Sequence, residues 1–255
     1  MAVMNRKSII VIAAFLVVAA ITLIYRSCYY SGKSGLSYRV VESSGTIEDT
    51  AYYSIKLEYP VFISEHDNDT TFTELNQRID AFLDTAARYY WGTSPDSTKH
   101  IINETGAAGQ FILENEYKIL DTTNKLISLK METYSFALGA HGFTAIHTYN
   151  FDVKEKRFLQ ITDLLNLGNQ ENVDLLNGLL VSYFKNEDDC FNHDPTAGPD
   201  FDLFGLEPGN MVFYYEAYEL GAYYCGSAAI RIPYEALKEA GLWKPGNEGP
   251  FTSLQ

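Results

Sequence analysis

Residues 111–161 read FILENEYKIL-DTTN-KLISLKMETYSF-ALGAHG-FTAIHTYNFDV-KEKR-FLQI, a series of strand-like runs cut by short breaks. The runs are Phe111–Leu120, Lys125–Tyr134, Phe143–Val153 and Phe158–Ile161, rich in β-branched and aromatic residues. DTTN, ALGAHG and KEKR supply the polar and glycine residues that tight turns need. Breaks this short join neighbouring strands as hairpins, so the stretch predicts an antiparallel meander.

Working outward, AYYSIKLEYPVF (51–62) alternates as a further strand, with Tyr53, Ile55, Leu57 and Tyr59 on one face. Behind it Phe72, Leu75, Ile79, Phe82, Leu83, Ala86 and Tyr90 recur at helical spacing, and Thr71 with Glu74 fits a capping box. One amphipathic helix is predicted over 72–90. Asp163 to Lys185 reads as a second helical stretch, with Val173, Leu176, Leu179, Leu180 and Phe184 on one face. Residues 186–210 (NEDDCFNHDPTAGPDFDLFGLEPGN) read as a long acidic excursion, of the length that is usually functional, disordered or inserted. Met211–Ala217 and Ala228–Ile232 are predicted strands, and Tyr234–Ala240 a short helix ending at Gly241. Helices and strands are segregated, so the fold class is α+β, antiparallel sheet packed with two main helices.

One transmembrane helix is expected before this fold. Ile9 to Tyr25 (IIVIAAFLVVAAITLIY) carries no charge, and Arg6, Lys7 and Arg26 bracket it. At about 1.5 Å per residue it nearly matches a hydrocarbon core of about 30 Å. The basic residues before it favour an inside amino terminus. The sequence therefore divides into a cytoplasmic tail (1–8), a signal anchor (9–26), a stalk (27–50) and two α+β subdomains. These cover 51–105 and 106–255, the second carrying the insertion 186–210. A cleaved signal peptide or lipidation at Cys28 are the other readings, and each places residues 33–255 outside the cytoplasm.

The net charge is −14, and all the acidic residues lie beyond residue 32. Such a surface repels nucleic acid and favours cationic partners or simple solubility. An oxidising compartment permits a bridge among the three cysteines, with Cys190–Cys225 the candidate pair; two free buried thiols are the alternative.

Three stretches in register resemble one family: LGAHGFTAIHTYNFDVKEKRFLQITDLL (138–165), VFYYEAYELGAYYCGSAAIRIPYEAL (212–237), and AYYSIKLEYPVF (51–62) with FTELNQRIDAFL (72–83). In that order they resemble the paired extracytoplasmic domains of RsiV-type anti-sigma factors and the non-catalytic amino-terminal region of PdaC-type peptidoglycan deacetylases. The resemblance implies an α+β ectodomain facing the cell envelope. In the anti-sigma members this region binds lysozyme; in the deacetylases it accompanies a separate catalytic domain. Ala217 stands where a proline is usual, and about eight residues before the apolar run are too few for a sigma-binding segment.

His141, between Gly139-Ala140 and Gly142, reads either as the pin of a tight turn or as a ligand-binding group. His147 lies at an even offset, so one continuous strand would place both rings together with Asp152 or Glu219 as a possible metal set. The acidic excursion lacks an Asp-x-Asp-x-Asp-Gly calcium loop. Gly-x-Ser-x-Gly, His-Glu-x-x-His and glycine-rich phosphate loops are absent, so no catalytic residue, metal or cofactor is assigned. Tyrosine doublets should put one ring in the core and one outside, which makes Tyr214, Tyr218, Glu219 and Tyr223, with His141, the candidate ligand-binding face. The expected function is a membrane-anchored sensing or binding module without catalysis. A cationic lysozyme-like protein is the expected partner, and envelope glycan (peptidoglycan) the alternative.

Overall fold

The computed structural model describes residues 27–28, 38–49, 52–66, 68–91, 99–100, 102–104, 106, 109–186 and 189–244. The expected anchor, 9–26, lies outside them, and no helix among the described residues is long and apolar enough to cross a membrane.

A seven-stranded sheet runs in sequence order: β1 (Ser27–Cys28), β2 (Tyr38–Asp49), β3 (Tyr53–Ser64), β4 (Phe111–Thr122), β5 (Leu126–Phe136), β6 (Phe143–Asp152) and β7 (Arg157–Phe158). Every neighbouring pair is antiparallel except β3 and β4, which are parallel. Parallel neighbours need a crossover, and helix α1 (Thr73–Trp91) lies in that connection. The meander 111–161 takes the predicted form. β2 occupies residues read from sequence as a stalk: its apolar Tyr38, Val40 and Val41 are buried, but the following Glu42-Ser43-Ser44-Gly45 hides the strand pattern. Strands from both sides of the expected subdomain boundary near 105 belong to this sheet.

β5 is buried on both faces, and alternation sorts its side chains. Ile127, Leu129 and Met131 join Phe151 and Val153 beneath α1, which contributes Leu75, Ile79 and Leu83, with Phe72 just before it. Each such fully buried side chain contributes about 1.5–3 kcal/mol. The helix is entered through Asp69 rather than a Thr71–Glu74 box. Thr71 donates through both its N–H (2.9 Å) and its hydroxyl (2.6 Å) to the Asp69 carboxylate, while Glu74 pairs with Arg78 at 3.3 Å. These bonds, led by the Thr71 hydroxyl, hold the Asp69 carboxyl well below the usual carboxylate range. Farther up, Asn76 of α1 meets the backbone of β3: the Phe62 N–H donates to its Oδ1 (2.9 Å) and its Nδ2 donates to the Phe62 carbonyl (2.8 Å).

The opposite face receives a three-stranded antiparallel sheet of β8 (Phe204–Glu207), β9 (Asn210–Tyr215) and β10 (Ala228–Pro233). Three helices complete this half: α2 (Ile161–Leu164), α3 (Gln170–Tyr183) and α4 (Tyr234–Glu239). The predicted stretch 163–185 is thus two helices, because Asn169 caps a new start, accepting from the Asn172 N–H at 2.9 Å. Leu176 and Leu180 are fully buried, with Val173, Leu179 and Phe184 packed beside them as their spacing predicts. Part of the acidic excursion is core: Ala197, Phe204 and Leu206 are buried, and Phe204–Glu207 is β8.

Polar bonds fasten the two sheets. The Ser128 hydroxyl donates to Asn150 Oδ1 (2.7 Å) and accepts from the Leu206 N–H (2.9 Å), and Asn150 Nδ2 donates to the Phe204 carbonyl (2.7 Å). Both side chains are buried, so each of these bonds is costly to break.

Candidate functional site

The β5–β6 turn and the segment between β9 and β10 meet at one end of the sheets. Leu138 takes a positive φ in the turn. A Cβ on Gly142 would run into the Tyr134 ring and force it aside. The freed Gly142 carbonyl accepts from the Tyr223 hydroxyl at 2.6 Å and lies 2.9 Å from His141 Nδ1. The imidazole of His141 stacks on Tyr223, with centroids 3.7 Å apart and planes 20° from parallel. Its Nε2 lies 3.1 Å from the Tyr218 hydroxyl, and the Tyr218 and Tyr223 rings are 5.5 Å apart. Tyr218 is 56% exposed and adopts φ +80°, a left-handed conformation costly for an aromatic residue.

Several bonds impose that conformation. The Glu216 carboxylate accepts from the Ile146 N–H of β6 at 2.6 Å, and the Glu219 carboxylate accepts from the Glu216 N–H. The Leu220 carbonyl accepts from the N–H groups of Asn192 and His193 (2.9 and 3.0 Å), and Phe191 and Gly221 form an antiparallel bridge. A disulfide, Cys190–Cys225, closes the arrangement. Closing about 36 residues contributes roughly 4 kcal/mol in the chain-entropy description.

Of the five candidate ligand residues, the structure brings together His141, Tyr218 and Tyr223. Glu219 shapes the turn beneath them. Tyr214 is elsewhere: it is buried against Leu120, Ile146 and Val212, beneath the Lys130 ammonium. Burial pushes its phenol up, and the same is true of Tyr215. The doublet rule fails here because β9 is covered on both faces, by the large sheet and by the helices. His147 also departs from expectation. The strand begins at Phe143, after His141, and His147 packs instead against Phe82 of α1, with centroids 4.0 Å apart and planes tilted by 50°. Burial lowers its pKa, against the pull of Asp202. No group of three or more His, Cys, Asp or Glu placed to hold a metal occurs among the described residues.

Beside the rings opens a cleft of about 550 Å³, lined by Glu114, Glu116, Glu132, Tyr134, Tyr223 and Tyr224 among others. Its carboxylates escaped the sequence reading: alternation pairs Glu114 with Glu116 and Glu132 with Tyr134 within each strand, and only the β4–β5 register brings the two pairs together.

Residues 47–144 match the family model described as deacetylase PdaC, and residues 162–235 match the model described as a protein of unknown function, DUF3298. The chain resembles that domain pair. Peptidoglycan-N-acetylmuramic acid deacetylase PdaC of Bacillus subtilis (strain 168) is 24% identical over 212 residues, which cover 79% of this chain and 42% of that protein. The chain therefore spans less than half the length of this curated relative. Two crystal structures of DUF3298 family proteins share the fold. One, from Bacteroides fragilis NCTC 9343, has a TM-score of 0.57 at 18% identity, covering 84% of this chain and 96% of that one. The other, from Pseudomonas aeruginosa PAO1, has a TM-score of 0.52 at 16% identity, covering 83% and 96%. In this chain the ring cluster draws on both matched stretches: His141 lies in the first, Tyr218 and Tyr223 in the second. Ligand sites concentrate at such junctions.

Proposed function

We propose that the chain is an extracytoplasmic binding module of the cell envelope, held at the membrane by residues 9–26, which recognises peptidoglycan glycan without catalysing its turnover. The observation that carries this reading is the fixed, exposed aromatic surface of Tyr218, Tyr223 and His141. Rings held by a left-handed backbone and by hydrogen bonds offer area to a sugar face with little ordering left to lose on binding. The peptidoglycan-directed name of the Bacillus relative supports the same ligand class. A second reading, a cationic lysozyme-like protein, draws on the net charge of −14.

Salt separates the two. The full-length chain in detergent should co-sediment with purified, fully N-acetylated peptidoglycan equally at low and high ionic strength, and Tyr218→Ala should release it. Failure to sediment, together with salt-sensitive capture of lysozyme, would replace the glycan by the protein partner.

A further inference from the structure

The cleft beside the rings has a chemistry that stability does not explain. Glu116 of β4 lies directly opposite Glu132 of β5, and Glu114 lies opposite Tyr134. Like charges facing each other across an antiparallel pair are destabilising. Lys130 compensates Glu132 at 2.7 Å and Lys56 compensates Glu114 at 3.3 Å. Exposed Glu116 makes no ion pair among the described residues, which leaves an uncompensated carboxylate on the floor. At the rim stands Tyr224, 83% exposed although the disulfide of Cys225 tethers the next residue. Tyr223 belongs both to this wall and to the stack on His141, so cleft and ring cluster form one surface.

A volume of about 550 Å³ suits a small ligand. Aromatic walls take the apolar face of a sugar ring, and a carboxylate floor takes a cation. We infer that the cleft selects a glycan bearing an unacetylated amino sugar, its ammonium set against Glu116 and its ring against Tyr224 and Tyr134. An N-acetylated sugar offers a neutral amide and loses the charged contact. Hydrolysis of that amide releases acetate and leaves the amine, so the ligand belongs to the product class of a glycan deacetylation. This inference rests on the glycan reading above and adds to it a chemical preference.

The test compares tetra-glucosamine with tetra-N-acetylglucosamine by titration calorimetry on the full-length chain, with spermine as a purely cationic control. Tetra-glucosamine should bind about tenfold more tightly than its acetylated counterpart, a difference of about 1.4 kcal/mol. Glu116→Gln should abolish the preference. Tyr224→Ala should weaken both sugars. Equal affinities, indifference to Glu116→Gln, or spermine binding as tightly as tetra-glucosamine would overturn the inference. If peptidoglycan still sediments wild type and both variants without any amine preference, the cleft assignment falls and the glycan reading stands. If wild type binds neither peptidoglycan nor either sugar, both fall.

Discussion

Replacing Asn150 by alanine should loosen the joint between the two sheets more than the loss of one exposed amide suggests. Asn150 is buried, and its amide does two things: it donates to the Phe204 carbonyl of β8 and accepts from the Ser128 hydroxyl of β5. Truncation strands both groups, and a stranded buried polar group costs about 1–3 kcal/mol. Because the hydroxyl can turn, a total of about 2–4 kcal/mol is expected, or roughly 4–16 °C in unfolding midpoint for a chain of this size. Ser128 also accepts from the Leu206 N–H, so the residues act as a unit. Urea unfolding of Asn150→Ala, Ser128→Ala and the double variant forms a cycle, and the pair should be non-additive by at least about 0.5 kcal/mol. A loss below about 0.5 kcal/mol for Asn150→Ala, or strict additivity, would refute the view that this network fastens the sheets.

Gly142→Ala should force the Tyr134 ring aside and pull the Gly142 carbonyl from Tyr223, at a cost of about 1–3 kcal/mol typical of overpacking; unchanged stability and an unchanged near-ultraviolet tyrosine signal would contradict the packing described. His147 predicts a pH dependence. Its folded pKa lies below its ordinary value, so the unfolded chain takes up the proton first as pH falls. Its contribution is therefore intact above about pH 6.5 and is lost as pH falls from there toward the folded pKa. His147→Gln should flatten that part of the stability profile, and an unaltered slope would show that another group sets it.

The meander and both long helices were legible because their signals are local: period-two runs, short turn-forming breaks, and apolar spacing in Leu176–Leu180 and Leu75–Ile79. β2 was not, since its central Ser43-Ser44-Gly45 gains its place from full-length pairing with β3 and not from its own composition. β8 was masked by Asp202 and Glu207, whose charges sit at its ends while Phe204 and Leu206 go inward. In the site, Gly142 and the Tyr-Glu-Leu turn drew attention to the right loops, and three of five candidate residues converge there. Tyr214 misled because a doublet cannot reveal that its strand is covered twice. The cleft was missed for the converse reason: facing glutamates on neighbouring strands become neighbours only once the register is known.

The amide of Asn76 also bears on how this chain avoids its own copies. β4 pairs with β3 only as far as Leu57 and Asn115, so the later part of β3 has β2 on one side alone. Such an edge is a template on which another chain can add a strand. Its polar groups recur every second residue, and most of them are already taken or missing. Asn115 Nδ2 takes the Glu58 carbonyl at 2.7 Å, Pro60 has no N–H to offer, and Asn76 takes both groups of Phe62. Two asparagines and a proline thus end the large sheet in the middle of a strand. The cost is two side-chain amides, and the result is an edge that offers an added strand few backbone partners.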